Sequence, residues 1–417
     1  MTQMPHDTHF DSTLSLLNDP YRYVSKQSDT YGSDMFRARL LLQDTICMTG
    51  TEAAELFYNE SHFIRKGAMP GRIQQTLLGV DGVQGLDDEA HKHRKQLFMS
   101  LLMNPTDVQD LTGIAEQYWR IYVHRWAYID RIVLYDEVCE ILTRAVCEWA
   151  GVPLAEEEVK RRTKELKALF GYAGSVGPKH WWARLARWRA TRWAQKLIEQ
   201  VRADHMIAPE ESALRAWALH RDLNGNLLDT HVAATELLNI LRPTVAVAVF
   251  VTFVAHALHQ YPEACQKVAA NEDDYVTYFV QEVRRVYPFF PVVAARVRDD
   301  FQYKGCPFHK GTRVLLDLYG TNHNAGPWQD PDVFRPERFQ EWDGDLFNFI
   351  PQGGGNAFNT HRCPGENVAI ELMKSAALFL ARDLTYTLPE QNLQIDYKRL
   401  PALPKSHIIL TDVQPHR

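Results

Sequence analysis

Among the residues of this 417-residue chain whose types and spacing could do chemistry, one cysteine stands out by its surroundings. Phe349-Ile350-Pro351-Gln352-Gly353-Gly354-Gly355 is followed by His361-Arg362-Cys363-Pro364-Gly365-Glu366 and then by an apolar, helix-periodic stretch from Asn367. Pro364 suits the first helical position, and the free N–H groups and positive dipole end of the helix behind it favour a thiolate at Cys363. The glycines let the loop come close to a flat cofactor. A thiolate held in this way is a good axial ligand for haem iron, and its electron donation favours O–O cleavage. A lone cysteine before a helix is more often an inert thiol, so the reading depends on its company.

That company is a Glu282-Val283-Arg284-Arg285 stretch in a periodic helix, with Glu282 and Arg285 on one face, and Phe334-Arg335-Pro336-Glu337-Arg338-Phe339, whose Arg338 could join the pair in a buried charge network. In this order along the chain, the E-x-x-R helix, the P-E-R-F segment and the cysteine loop resemble the cytochrome P450 superfamily. The resemblance implies a mainly α, single-domain cytochrome P450 fold with a small β region, covering residues 1–417. It also implies haem b with the Cys363 thiolate as axial iron ligand, and a structural role for Glu282, Arg285 and Arg338.

Two departures from the general family pattern narrow the reading. Phe349 stands fourteen positions ahead of Cys363, where the pattern has a Phe seven ahead, so the proximal surface that receives a redox partner is remodelled. In the long central apolar segment, Leu241-Arg242-Pro243-Thr244 occupies the place of the acid and threonine that deliver protons. Proline has neither hydroxyl nor N–H and kinks a helix where it stands. A guanidinium in such a segment is costly without a partner, about 3–5 kcal/mol when a buried pair loses one member, so Arg242 needs an anion. That anion could be a protein carboxylate from a neighbouring helix.

The L-R-P-T-V-A pattern, the elongated cysteine loop, and Gly82-Val83-Gln84-Gly85-Leu86-Asp87 followed by His91-Lys92-His93-Arg94-Lys95 resemble the fatty-acid peroxygenase branch. That resemblance makes the anion a fatty-acid carboxylate, gripped by Arg242 and acting as general acid and base on hydrogen peroxide, with no redox partner required. Arg242 and Pro243 are then the catalytic pair, and Arg242, Gln84, Leu78, Phe289 and Phe290 the substrate-binding set. Arg65, His91 and Lys95 match positions that hold the haem propionates, although each could equally be a solvated surface charge. Decarboxylating relatives often carry His where this chain has Gln84, which points to hydroxylation. Phe289-Phe290-Pro291, Thr76-Leu77-Leu78-Gly79 and Gly82 to Gly85 look closer to the α-hydroxylating relatives. The expected product is therefore mainly the 2-hydroxy acid, with 3-hydroxy acid and terminal alkene as minor ones. A conventional monooxygenase fed by a redox partner, or a non-catalytic haem sensor or fatty-acid binder, are the other readings.

The elements that must position these residues are mostly helical. Apolar residues recur at i, i+3, i+4 over Asp107 to Trp126, Ile141 to Ala150, Glu156 to Phe170, Trp181 to Arg202, His231 to His259, Tyr275 to Tyr287 and Asn367 to Asp383. Strand-like runs are fewer, Phe36–Met48 and Ala294–Leu318. The most apolar stretch, Leu237 to Leu258, carries Asn239, Arg242, Pro243 and His256, which makes it poor material for a membrane span and good material for a buried helix. A net charge of −6 draws the chain neither to nucleic acid nor to a membrane as a whole. The N-terminal residues show no secretory pattern, and six scattered cysteines suggest neither disulfides nor zinc, which fits a cytoplasmic protein. Lys179 to Arg189 interleaves basic residues with tryptophan, as expected of an amphipathic helix with arginine stems laid over indoles.

Overall fold

The structure, a computed structural model, describes residues 4–272 and 274–416. Residues 1–3, 273 and 417, which belong to the N-terminal segment and to the chain-long domain read from the sequence, lie outside the described residues. Eight helices build the mass that holds the site: α1 Asp88–Leu102, α2 Pro105–Trp126, α3 Leu134–Trp149, α4 Val159–Gly171, α5 Pro178–Arg202, α6 Thr230–Gln260, α7 Tyr275–Val286 and α8 Glu366–Leu378.

Helix α6 is the axis. Asp229 caps it by accepting from the N–H groups of His231 and Val232, and it is apolar nearly all round, so its neighbours α3, α4, α5 and α8 enclose it. It is long and apolar enough to cross a membrane, yet 94% of its most apolar window is buried inside the protein. The helix runs through Pro243 as one element. The expected interruption is limited to one missing N–H, which leaves the Asn239 carbonyl without its helical donor.

Two helices differ from the periodicity reading. Helix α3 starts at Leu134, seven residues before Ile141, because Asp136 and Glu137 occupy its first turn and Leu134, Tyr135 and Val138 already bury. Helix α1 bears out the placing of His91 and Lys95 four apart on one helix face, although apolar periodicity alone does not mark it. Its buried stripe contains His91 and Lys95 beside Phe98, Met99 and Leu102, so two of its inward positions carry polar residues and the hydropathy signal is weak.

The β region is small, as the sequence indicates. Strands β1 Met35–Leu40, β2 Gln43–Met48, β3 Phe63–Ile64, β4 Val292–Val297 and β5 Arg313–Asp317 form one sheet in the order β1-β2-β5-β4-β3. Only the β2–β5 pair is parallel; β1–β2, β5–β4 and β4–β3 are antiparallel. This sheet carries Arg65, just past β3, to the edge of the helical mass.

Glu282, on α7, is a carboxylate with four hydrogen-bond donors gathered on it. Its Oε1 accepts from Arg285 Nη2 at 2.8 Å, from the Arg335 N–H at 2.8 Å and from Arg338 Nε at 3.1 Å, while Oε2 accepts from Arg285 Nε at 2.7 Å. Arg285 spends its remaining N–H groups on the carbonyls of Asn322 and Pro331. Glu282 and Arg285 are completely buried, and together with Arg338 they tie α7 to the P-E-R-F turn.

Glu282→Ala should therefore lower unfolding free energy by about 3–5 kcal/mol, because two buried guanidinium groups lose their shared anion, as read by denaturant titration. A second expectation concerns pH. His256, bonded to the Tyr287 hydroxyl and the Leu393 carbonyl, and His323, bonded to the Tyr319 carbonyl, are each pulled down to about 4 by burial. Unfolded histidines take up protons near pH 6.5 while these two do not, so stability is full above that pH and is lost as pH falls toward 4. Thermal melts across that window test it, and His256→Asn should flatten the dependence.

Candidate active site

Cys363 lies where the elongated loop meets α8. Its N–H donates to the Gln352 carbonyl at 3.1 Å, and the Gly365 N–H points at its sulphur. Helix α8 begins at Glu366 with Gly365 as its cap, so Pro364 sits in the turn before the helix and not at its first position. Burial raises the Cys363 thiol above its usual range, while the Gly365 amide pulls it down.

The glycines of the loop also serve a different purpose from the expected one. A side chain at Gly353 would meet the Tyr58 hydroxyl at 3.0 Å and the Arg362 backbone at 3.2 Å, and one at Gly355 would meet Thr360. Both have positive φ, 100° and 79°. They let the loop fold on itself and leave the face near Cys363 to Gly365, whose absent side chain lies between Leu102 and the sulphur. The loop is fastened by Glu366, whose carboxylate takes Arg362 Nε at 2.6 Å and pairs with Arg284. Arg284 also donates to Gln352 at 3.0 Å and lies over the Phe349 ring.

Around this cysteine the sequence-predicted basic residues do come together. Arg65 lies over the rings of Phe57 and Tyr58 and donates to the Ala294 carbonyl. His91 is buried, stacked on His361 at 3.8 Å, and its Nδ1 has no hydrogen-bond partner. Lys95 is buried and donates to the carbonyls of Thr360 and Arg362. Burial, with the fields of Lys95 and Arg65, pulls His91 down to about 3, and burial pulls Lys95 to about 8 while Cys363 pulls it back up. Among the described residues no carboxylate forms an ion pair with Arg65, His91 or Lys95. Buried and half-buried donors with no paired carboxylate, within one another's fields beside a cysteine, fit the two carboxylates of a haem.

Arg242 occupies the other side. It is buried; its Nη2 donates to Asn239 Oδ1 at 3.1 Å and its Nε has no partner. Burial, followed by the nearby charge of Arg187, pulls it down to about 9, and the fields of Cys363 and Glu236 oppose this. The protein carboxylate that could have satisfied it is taken: Glu236 accepts from Arg94 at 3.2 Å and from Asn239 Nδ2 at 2.9 Å. Asn239 Nδ2 also lies 3.3 Å from Gln84 Oε1. Gly82 closes the group, since a side chain there would meet Asn239, Gln84 and the Leu78 carbonyl at 3.0 to 3.2 Å.

The remaining predicted residues are placed less directly. Phe289 stacks on Phe250 at 4.3 Å, two helical turns beyond Arg242 on α6, and Phe290 packs edge-on against Phe289. They belong to the apolar cluster that also takes in Leu78. Pro243 follows Arg242 on α6 and contributes no side-chain donor. Residues that sequence reasoning missed are Glu236, Asn239, Arg94 and His361. His361 was within the motif quoted, and Asn239 stands at i−3 from Arg242 with Glu236 at i−3 from Asn239, a spacing that marks them as a ladder of neighbours.

Such a molecule, a helical mass around one long buried helix with a cysteine on one side and an unpaired arginine on the other, is built to clasp a flat anionic cofactor. The family model "Cytochrome P450" matches residues 254–405. Of the solved structures, cytochrome P450SP alpha (CYP152B1) in complex with (R)-ibuprofen is 52% identical, covering 97% of this chain and 99% of that one, with a TM-score of 0.95. Cytochrome P450EX alpha (CYP152N1) with myristic acid is 43% identical over 99% of both chains, TM-score 0.96, and a variant of cytochrome P450 OleT in complex with arachidonic acid is 33% identical over 99% of both, TM-score 0.96. Curated relatives align over less than half their length; cytochrome P450 71D18 of Mentha gracilis is 27% identical over 139 residues, 32% of this chain and 27% of that protein.

The chain belongs to the cytochrome P450 family, and with that comes haem b on a cysteine thiolate. Reduced protein under carbon monoxide should accordingly show the red-shifted Soret band of a thiolate-bound haem. Cys363→Ala should abolish that band, and its survival would overturn the assignment of the ligand.

Proposed function

We propose that this protein is a haem-thiolate peroxygenase that hydroxylates long-chain fatty acids beside the carboxylate, with hydrogen peroxide as oxidant. The observation that carries this reading is the buried guanidinium of Arg242, which faces the Cys363 side of the molecule without a carboxylate of its own. The neighbouring structures support it, since myristic acid, arachidonic acid and ibuprofen are all carboxylic acids.

Haem, when bound, supplies the cleavage of the peroxide O–O bond and the oxidation of the substrate carbon. The chain supplies the rest. Cys363 would give the thiolate ligand, and Arg65, His91 and Lys95 would hold the propionates. Arg242 binds the substrate carboxylate with Nε and Nη groups, and Asn239, fixed by Glu236, sets the orientation of that guanidinium. Pro243 offers neither hydroxyl nor N–H, so no side chain at this position relays a proton as in partner-dependent monooxygenases. The bound carboxylate fills that role, taking a proton from the peroxide and returning it to the departing oxygen.

Gln84, bonded to Asn239, is a neutral amide and brings no titrating group to the carboxylate, which favours hydroxylation over decarboxylation. Leu78, Phe289 and Phe290 wall the apolar part of the site and hold the chain so that Cα lies closest to the oxidant, where a displacement of about 1 Å changes reactivity roughly hundredfold. The 2-hydroxy acid is then the main product. Six cysteines, none of them in a disulfide, suit the reducing cytoplasm as the place of action.

Arg242→Ala should cut peroxide-driven myristate oxidation by at least about a hundredfold, the usual contribution of a positioned acid/base, while the haem spectrum stays intact. Retained turnover would sink substrate assistance. Mass spectrometry of the wild-type products should show 2-hydroxymyristate in excess, and a dominant 3-hydroxy acid or terminal alkene would refute the regiochemistry.

A further inference from the structure

The tryptophan and arginine segment singled out in the sequence is not absorbed by the site. It forms the first half of α5, and the structure puts its indoles outside. Trp181 is 66% exposed, Trp182 36%, Leu185 40% and Trp188 56%, with Val176 just before the helix at 64%. Of the ten tryptophans in the chain, the other seven are buried or half-buried. The packing of arginine stems over indoles does occur, since Arg184, Arg189 and Arg192 lie over Trp181, Trp182 and Trp188. It happens in solvent, however, and buries none of these rings.

The charge on this face is equally uneven. Helix α5 holds seven Lys and Arg residues against one Glu, in a chain whose net charge is −6. Among the described residues, Lys179, Arg184, Arg189, Arg192 and Lys196 form no ion pair. Trp181, Leu185 and Trp188 stand at i, i+4 and i+7, which makes one apolar strip flanked by cations.

We propose that this face docks on an anionic lipid bilayer. Indoles and leucine on one strip with arginine and lysine beside it are the chemistry of a helix lying in the headgroup region. A second copy of this chain would set the same cations against each other. The strip also borders a cleft of about 630 Å³ between α5 and residues 75–80, at whose rim lie Trp188, Arg192 and Lys196. Arg187 lines the same cleft; it is buried, its Nη1 has no partner, and its Nη2 donates to Thr235 on α6 at 3.3 Å, two turns before Arg242. Docking would therefore bring this cleft, whose Arg187 lies within electrostatic reach of Arg242, against the phase in which fatty acids dissolve. This last step rests on the proposed function; the docking itself does not.

The test uses the purified haem-loaded protein. It should sediment with phosphatidylcholine vesicles that contain phosphatidylglycerol, with a blue shift of tryptophan emission, and stay in solution with phosphatidylcholine alone or at high salt. The Trp181→Ser, Leu185→Ser pair should weaken partitioning at least tenfold, and Lys179→Gln and Arg189→Gln should each weaken it about fivefold. Unchanged carbon monoxide spectra and unchanged peroxide-driven turnover of a freely dissolved short-chain acid show that these variants are folded. Absence of sedimentation with anionic vesicles, or sedimentation indifferent to all these substitutions, overturns the proposal. So does a lipid-free dimer that the same substitutions dissociate, or binding to single-stranded nucleic acid without binding to vesicles. Vesicle binding in a protein that fails to oxidise fatty acids would uphold the docking face and remove the function joined to it.

Discussion

The cost of burying the Arg242 guanidinium organises the distal half of this protein. On α6, surrounded by apolar neighbours, a cation with one hydrogen bond to Asn239 and no carboxylate is expensive to hold. The fold does not relieve this. It assigns the nearby carboxylate, Glu236, to Arg94 and Asn239, and it places a second under-satisfied arginine, Arg187, within electrostatic reach. A positively charged, poorly solvated pocket suits an anion, which in the proposed function is the substrate carboxylate.

The opposite side of the molecule is organised by the same rule with the opposite outcome. Glu366 and Glu282 are buried carboxylates that each gather two arginines, and they do so to fix backbone: Glu366 clamps the cysteine loop through Arg362 and Arg284, and Glu282 clamps the P-E-R-F turn through Arg285 and Arg338. Fully paired networks lend rigidity; the incompletely paired set of Arg65, His91, Lys95 and Arg242 lends affinity for what is absent from the polypeptide. Which cations are paired thus separates the scaffold from the site.

Much of this was legible in the residues. The long helix around Arg242, the E-x-x-R pair and its partner Arg338, and the placing of Cys363 before a helix all follow from local spacing and apolar period, which the tertiary structure keeps. Helix α1 was legible only from the i, i+4 spacing of His91 and Lys95, because these polar residues lie in its inward stripe and mask its apolar pattern. The glycine loop misled in a different way: glycine reports a close approach without saying to what, and here the neighbours are Tyr58, Thr360 and the loop's own backbone.

The sequence by itself determined the class of fold, the identity of the ligand cysteine and the need of Arg242 for an anion, because each rests on short-range pattern or on the intrinsic cost of a buried charge. The residues alone left open whether that anion was a side chain or a ligand, and the resemblance favoured the ligand. Only the tertiary structure shows that Glu236 is committed elsewhere, since ion pairing depends on distances between α6, α1 and the segment around Gln84 that no spacing along the chain encodes. It likewise decided that the indoles of α5 face outward while Arg187 turns in, because a helix rich in both tryptophan and arginine has two plausible inner faces and the packing against α6 selects one.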